Sequence, residues 1–399
     1  MITRLRQRLP ALLRAVAALP RTVIAPRRSP PRLRFVYLHF GAATRYRVWH
    51  QIEQAQIAGL TAEAVALHDA ARLYDLSQID LLILYRLPLA PLTLPLVVAA
   101  RLRRIPLVFD TDDLVWDERE REYNFLDRHH DPATIASLLR AARATRRLMH
   151  LADALILSTP YLAALASADI RRPTFVSPNV LSREQVALSC AAFKERQRHP
   201  PSGQSIIGYF CGHAHVHDED IATIGAALRA VLEACPEAKL RFYGEVTLPP
   251  DLTEAPLNER IEQRPVVDWR DLPRHIAAVD VNIAPLVDNP QRRSKSAVKY
   301  LEAAAVGVPT VAVRLEPYRD AITEGVTGLL AATHDEWVTA LVRLLRDPAL
   351  RRRMGEAARA DVLGRYTTEH QAARFAQIIE EIAFLRNTDW RGSRWIRTD

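Results

Sequence analysis

Short apolar runs alternate with longer amphipathic stretches along most of the chain. Strands are predicted at 35–38, 81–85, 106–110, 154–158 and 174–178, and then at 206–210, 239–244, 281–286 and 310–313. Helical stretches lie between these runs, for example at about 45–59 and 218–234. Uninterrupted apolar strands that alternate with helices are typical of parallel sheets that are covered on both faces. The pattern therefore predicts an α/β protein with two doubly wound, Rossmann-like halves.

The alternation lapses between residues 182 and 204, where the sequence turns polar and then rich in Pro, Gly and Ser. We interpret 186–204 as an interdomain linker. It separates an N-terminal Rossmann-like domain at 34–185 from a C-terminal one at 205–370. Two such domains predict a central cleft between them, which is a favoured ligand site. The remaining 371–399 are predicted to form a C-terminal helix and tail.

Positive charge is concentrated at the start of the chain. Residues 1–34 contain nine arginines and no acid, whereas the whole chain carries a net charge of +8, so the remainder is close to neutral at about −1. We treat 1–33 as a basic N-terminal extension that mixes arginine with apolar residues. A disordered basic tail and attachment of residues 1–30 to an anionic membrane surface both fit this composition. Nucleic-acid binding is the least supported partner, because basic and aromatic residues do not interleave.

Cysteine usage and hydropathy bear on the compartment. Three cysteines, Cys190, Cys211 and Cys235, show neither metal-ligand spacing nor the density of a disulfide scaffold. No apolar run reaches the roughly 18 residues that a membrane-spanning helix needs. We therefore expect a cytoplasmic protein, peripheral on the inner face of the plasma membrane if the extension binds lipid.

The segment at 295–313 carries the most specific chemical signal. Its alanine-rich helix is predicted to end at Gly307 in a left-handed conformation, and a buried strand follows. Lys295, Lys299 and Glu302 are spaced to share one helix face. An ordinary solvated face would look similar. However, Arg292 and Lys295 crowd the predicted helix start, where cations are disfavoured unless an anion lies among them.

This segment resembles the donor-binding signature of GT-B glycosyltransferases, specifically the retaining class related to family 4. That signature has two glutamates separated by seven residues and then an A-x-G-x-P strand entry. Glu302 matches the second glutamate, which the resemblance assigns to the ribose of a nucleotide sugar. Ser294 stands where the first glutamate is expected. The segment 317–331 also resembles the continuation of the family's pattern.

The resemblance implies further site residues in the second domain. The loop after strand 206–210, with Gly212 and His213, resembles the glycine loop that faces the donor diphosphate. Val266 and Val267 fall in a segment similar to the one that cradles the nucleobase. The alternating histidines that begin at His213 also allow a metal site, although no further ligand is evident.

Two strand ends in the first domain supply the other candidates. Gly41, Arg45 and Arg47 lie at a strand-to-helix turn, where an arginine would either meet a phosphate of donor or acceptor or remain an ordinary exposed side chain. Asp112 and Asp113 follow a buried strand, so a catalytic or acceptor-side role, helix capping and a divalent-metal site are all open. GT-B enzymes generally need no bound metal.

The resemblance implies a GT-B glycosyltransferase that moves a sugar from a nucleotide-diphosphate sugar to a glycan or lipid-linked acceptor in cell-surface polysaccharide synthesis. Retaining stereochemistry, independence of metal, the absence of a cofactor and a last helix that crosses back to the first domain are implied in the same way. The alternative is a catalytically silent GT-B homologue that acts as a binding partner or scaffold, which Ser294 favours.

Overall fold

The computed structural model describes residues 30–198, 203–212 and 217–385, together with the backbone of 396–397. The N-terminal extension up to residue 29 and His213 lie outside these described residues. The chain divides into two units, one formed by 1–179 with 371–399 and the other by 180–370. Each unit is built around its own parallel sheet.

The sheet of the first unit has seven strands in the order β13-β6-β5-β4-β3-β1-β2, and all neighbours are parallel. Its strands are β1 Arg32–Tyr37, β2 Thr61–Ala66, β3 Leu81–Tyr85, β4 Leu107–Thr111, β5 Ala154–Leu157, β6 Thr174–Val176 and β13 Ile396–Arg397. The sheet reverses its direction of growth between β1 and β3. Ligands of doubly wound folds bind at the carboxyl ends of the strands beside such a switch point.

Helices connect and cover this sheet. They are α1 Ala42–Thr44, a π-helical turn Arg45–Trp49, α2 His50–Ile57, α3 Ala70–Leu73, α4 Thr93–Leu102, α5 Glu120–Tyr123, α6 Leu126–His129, α7 Pro132–Leu151 and α8 Pro160–Ile170. One core layer includes Leu96 of α4, Leu148 of α7 and Phe109 of β4. The π-helical turn and α2 together confirm the helix predicted at about 45–59.

The second sheet has the order β12-β11-β10-β7-β8-β9 and is also parallel throughout. Its strands are β7 Ile206–Phe210, β8 Lys239–Tyr243, β9 Ile261–Arg264, β10 Val281–Ala284, β11 Thr310–Val313 and β12 Leu329–Ala331. Numbered within the unit, this is the 3-2-1-4-5-6 order of the dinucleotide-binding fold, so its switch point lies between β7 and β10.

The helices of the second unit lie between and after these strands. They are α9 Arg183–Arg198, α10 Asp218–Ala222, α11 Gly225–Ala234, α12 Leu272–Ala277, α13 Pro290–Arg293, α14 Val298–Ala305, α15 Glu316–Arg319, α16 His334–Arg346, α17 Pro348–Arg365 and α18 Thr368–Leu385, with 3-10 turns Pro250–Leu252 and Leu257–Arg260. Gly307 has a φ of 71° after α14, which confirms the predicted left-handed helix end.

The proposed linker at 186–204 was wrong for most of its length, because α9 continues to Arg198. Its inner face buries Gln185, Ser189 and Ala192 against the second unit. Phe193 lies so close to Gly307 that a Cβ there would meet its ring at 2.6 Å. The polar surface of this helix explains why its sequence resembles a linker.

The C-terminal helix α18 starts in the second unit and packs within the first. Phe375, Ile378, Ile379 and Ile382 are spaced along one helical face and are buried beside Phe35 of β1. This is the course that the family resemblance implies for the last helix.

Candidate active site

Lys299 lies beside the switch point of the second sheet. Its Nζ donates a 2.5 Å hydrogen bond to the carbonyl oxygen of Phe210, the last residue of β7, and lies 4.7 Å from the centre of the Tyr209 ring. Burial lowers the pKa of Lys299 below its ordinary value. Lys299 forms no ion pair with any residue that the structure describes. A cation held only by a carbonyl and a ring is favourably placed to receive an anion.

Glu302 and Lys299 share α14, and both are partly exposed. Lys295, which was predicted to lie on the same helix, precedes it, because α14 begins at Val298. The shorter helix α13 ends at Arg293, and the chain bends through Lys295 before α14 starts. The hydroxyl of Ser296 next to it is buried and has no hydrogen-bond partner. Sequence reasoning did not identify Ser296.

Asp220 holds together a buried polar network that sequence reasoning missed. Its carboxylate accepts hydrogen bonds from Arg292 Nε at 3.1 Å and from the Val287 amide at 2.9 Å, and it lies 2.6 Å from His217 Nδ1. Burial would raise the pKa of Asp220, but the hydrogen bond from His217 and the charge of Arg292 keep it below its ordinary value. Burial, with the nearby Lys299 charge, lowers the pKa of His217 to about 4.

This network corrects an expectation from the sequence about the arginines that precede α14. Asp220 lies inside α10, whose N-cap position is His217. Arg292 was a candidate phosphate ligand, but it is 2% exposed and is paired with Asp220. Arg293 is paired with Asp288 and Glu316. The charges of both arginines are therefore largely balanced within the protein.

Ser294 occupies the position of the expected first motif glutamate. It is fully buried, and its hydroxyl donates a 2.7 Å hydrogen bond to the carbonyl of Pro290. A glutamate here would place a carboxylate in a buried environment, which is costly. The Ser294 side chain therefore serves a contact with the backbone of the preceding turn.

A group of rings lies at the carboxyl ends of β7 and β8. Phe210 and Tyr243 stack with centroids 4.7 Å apart and an interplanar angle of 12°. His275 contacts Tyr243 edge-on, and its Nδ1 lies 3.3 Å from the tyrosine hydroxyl. Val267 is partly buried against this cluster, whereas Val266 is 50% exposed. Of the two valines predicted to border a nucleobase, Val267 thus adjoins a flat apolar surface.

In the first unit, Arg47 forms a buried ion pair with Asp110. Arg47 Nη2 and Nε lie 2.6 Å and 2.9 Å from the two Asp110 oxygens, and both side chains are fully buried. Arg47 Nη1 donates to the carbonyl of Ser177 and to Asn179 Oδ1. Burial would lower the pKa of Arg47, but the charge of Asp110 keeps it above its ordinary value. The predicted phosphate contact does not fit this burial, since the guanidinium is used within the protein.

Asp112 and Asp113 lie just beyond β4 and share one arginine. Arg86 Nη2 is 2.7 Å from Asp112 Oδ1 and 3.2 Å from Asp113 Oδ2. Tyr85 donates to Asp112 from the end of β3 at 3.3 Å, and Asn179 donates to its other oxygen at 3.3 Å. Arg86 has a φ of 48°, which few residues other than glycine adopt, so the backbone is constrained there.

The remaining predicted residues lie near β1. Gly41 precedes α1 in an extended conformation with open space at its Cβ position. Arg45 is 8% exposed, and its guanidinium lies 5.3 Å from the centre of the Tyr46 ring. Gly212, two residues after the end of β7, is exposed.

The described residues contain neither a group of metal-binding side chains nor a membrane-spanning helix. Within the described ranges, no three His, Cys, Asp or Glu side chains are grouped so that they could hold a metal ion. In the same part of the chain, no helix combines the length and apolarity needed to cross a bilayer.

Comparisons with known proteins agree with this architecture. HepE from Anabaena, solved in complex with UDP-glucose, matches with a TM-score of 0.61 over 88% of this chain and 100% of that chain, at 14% identity. At such low identity the likeness concerns the fold alone. The chain has the GT-B fold, as the sequence resemblance predicted.

A family match covers most of the second unit. Residues 205–347 match the model for glycosyl transferases group 1. D-inositol 3-phosphate glycosyltransferase of Kribbella flavida is 45% identical over 60 residues, covering 14% of each chain. The protein of the same name from Pseudarthrobacter chlorophenolicus is 34% identical over 109 residues, which is 27% of this chain and 25% of that one. These matches span about a quarter or less of the curated relatives. Over residues 205–347 the second unit is therefore similar to the group 1 glycosyl transferases.

Proposed function

We propose that this protein transfers a sugar from a nucleotide-diphosphate sugar to a glycan or lipid-linked acceptor. The observation that carries the proposal is Lys299, a cation that has no carboxylate partner among the described residues and lies at the switch point of a Rossmann-ordered sheet. Nucleotides bind at this position in doubly wound folds. The structural neighbour HepE was solved with UDP-glucose, which supports a nucleotide sugar as the donor.

Lys299 and Lys295 stabilise the leaving diphosphate, where negative charge grows as the glycosidic bond breaks. Glu302 binds the ribose hydroxyls, and Val266 and Val267 border the nucleobase with the Phe210–Tyr243 stack. Gly212 and His213 give the diphosphate close access to the backbone. No resident cofactor or metal takes part, and the configuration at the anomeric carbon is retained.

The first unit binds the acceptor at the carboxyl ends of β1, β3 and β4. Gly41 leaves open space there, and Arg45 lies at the start of the next helix. Asp112 and Asp113 receive the acceptor hydroxyl. Arg86 pairs with both carboxylates and fixes their positions, so that they accept hydrogen bonds from the acceptor hydroxyl. The proposed setting is cell-surface polysaccharide synthesis on the cytoplasmic side of the plasma membrane, with residues 1–30 at the lipid surface.

The experiment is a donor-turnover assay with a panel of nucleotide sugars, with and without a membrane extract as acceptor source. We expect release of nucleoside diphosphate from one donor to rise when the extract is added. An assay in a chelator tests independence of metal, and proton NMR of the product tests retention. Tight nucleotide binding without turnover of any donor would contradict the enzyme proposal.

A catalytically silent GT-B homologue is the second candidate. The buried Ser294, whose hydroxyl is bound to the backbone, is the observation that favours it. A silent homologue would bind nucleotide without turning over its sugar in the same assay, so one experiment separates the two candidates.

A further inference from the structure

An exposed aliphatic stripe runs along α4 of the first unit. Leu94, Val98 and Leu102 are 49%, 46% and 62% exposed, and their spacing of four residues places them on one helix face. Leu151, at the end of α7, is also exposed, and Arg101 donates a hydrogen bond to its carbonyl. This hydrogen bond links the end of α4 to the end of α7. Contiguous exposed apolar residues on one face mark an interaction surface.

The surroundings of the stripe are strongly basic. From residue 101 to residue 109 the chain has three arginines and no acid, and α7 adds four arginines and again no acid. Arg140, Arg147 and Leu151 follow one face of α7 at spacings of seven and four residues. Arg104, Arg140 and Arg147 are exposed, and none of the three has an ion pair among the described residues.

The start of β1 lies at the same edge of the sheet as the end of this stripe. Helices α4 and α7 end just before β4 and β5, which are parallel to β1. Parallel strands begin at one common edge, so β1 starts at the edge where Leu102, Arg104 and Leu151 lie. The carboxylates of Asp112 and Asp113 lie at the opposite edge.

We propose that this surface, formed by Leu94, Val98, Leu102, Leu151 and the nearby arginines, docks the folded first unit on an anionic lipid bilayer. Aliphatic side chains enter the headgroup boundary while arginines contact lipid phosphates. Charge complementarity favours this occupant over a second copy of the chain, because a second copy would bring the same excess of arginines. The proposal is independent of catalysis and of the binding of the extension itself.

The test is vesicle co-sedimentation with the full chain. Vesicles of phosphatidylcholine alone are compared with vesicles that also contain phosphatidylglycerol, at low and high salt. The triple variant L94S/V98S/L102S keeps the extension and all arginines. We expect its affinity for anionic vesicles to fall by about tenfold or more, because three half-exposed aliphatic side chains no longer enter the lipid.

A matched control variant is V326S/F384S, which removes two apolar side chains that are 53% and 65% exposed elsewhere on the surface. Its vesicle affinity should stay at the wild-type level. The charge variant R104E/R140E/R147E should weaken binding by about fivefold or more for each arginine and abolish the salt dependence of what remains. Circular dichroism and thermal melting of all variants establish that they are folded.

Three results would overturn the proposal. The first is unchanged vesicle affinity of the triple aliphatic variant, which would leave lipid binding to the extension alone. The second is equal binding of the wild type to neutral and anionic vesicles. The third is a change of oligomeric state, measured by sedimentation velocity, that accompanies the aliphatic substitutions while vesicle binding persists, which would make the stripe a contact between copies.

Discussion

The two units differ in how charge is balanced at the carboxyl ends of their sheets. In the first unit the carboxylates at the ends of the strands form ion pairs with arginines. Asp110 pairs with Arg47, and Asp112 and Asp113 both pair with Arg86. In the second unit the group nearest the switch point is a cation, Lys299, held by a backbone carbonyl and a ring.

The difference indicates what each surface can accept. A buried pair such as Arg47–Asp110 gains nothing from a further ion and holds strand ends together. A partly buried lysine that has no carboxylate partner among the described residues still has electrostatic energy to gain from an anion. The second unit is therefore suited to a diphosphate, whereas the first is suited to neutral hydroxyl groups that donate to carboxylates.

The largest expected effect comes from opening the buried pair of the first unit. Arg47→Ala leaves Asp110 charged and buried without its partner, so we expect the free energy of unfolding to fall by about 3–5 kcal/mol. Urea denaturation followed by circular dichroism measures the change. Arg119→Ala is the matched control, since its pair with Asp117 is exposed on the arginine side and should contribute about 1 kcal/mol or less.

A double substitution refines this result. Arg47→Met with Asp110→Leu removes both charges, and it should recover most of the stability that Arg47→Ala loses, because no unpaired charge remains. If Arg47→Ala unfolds at the same urea concentration as the wild type, the Arg47–Asp110 pair does not hold the strand ends together. The contrast between a structural ion pair in the first unit and Lys299 in the second would then be wrong.

The next effect concerns the cation of the second unit. Lys299→Ala should lower kcat/KM by about a hundredfold or more, since it removes a preorganised charge from the developing diphosphate. Nucleoside-diphosphate affinity, measured by calorimetry, should fall in parallel. Lys239→Ala is the control, because this lysine lies in the same unit and near Glu262. Equal diphosphate binding by Lys299→Ala and wild type would show that the site lies elsewhere.

Most of the fold could be predicted from the apolar runs, because strands buried on both faces have uninterrupted apolar sequences. Strands β2 and β9 are among those that were missed; both form sheet edges, and their sequences are mixed, as in IEQR of β9. The linker was wrongly placed because α9 exposes a polar face. In each case the missing information was which faces of an element would be covered.

The site could be predicted only in part. Lys299 and Glu302 follow from local spacing within one helix, and the structure places them on α14. The Asp220–Arg292 pair could not be predicted, since 72 positions separate its members and only the sheet topology brings them together. The burial of Ser294 also depends on tertiary packing, so its sequence position alone suggested a lost ligand rather than a backbone contact.

A smaller effect, on pH dependence, concerns His217. Its pKa of about 4 in the folded protein lies below the ordinary value near 6.5, so the unfolded chain takes up a proton first as the pH falls. Stability is therefore lost as the pH falls from about 6.5 towards 4. The free energy of unfolding should fall by about 2 kcal/mol between about pH 6.5 and about pH 5. Denaturation curves of His217→Gln should lack this loss. The exposed His334→Gln is the control and should keep it.

The smallest expected effect distinguishes a paired cation from an unpaired one within the second unit. Arg293→Ala removes a charge close to the site, yet Asp288 and Glu316 already balance that charge. Half-buried and exposed ion pairs of this kind contribute about 1 kcal/mol or less to stability. Because the two carboxylates already balance the charge of Arg293, the affinity for diphosphate should change by less than about fivefold. Calorimetry beside Lys299→Ala gives the comparison directly. If Arg293→Ala weakens diphosphate binding as much as Lys299→Ala does, the arginine must leave its carboxylates to bind the ligand. Proximity to the ligand, rather than the absence of an ion pair, would then decide which cations of this unit bind the anion.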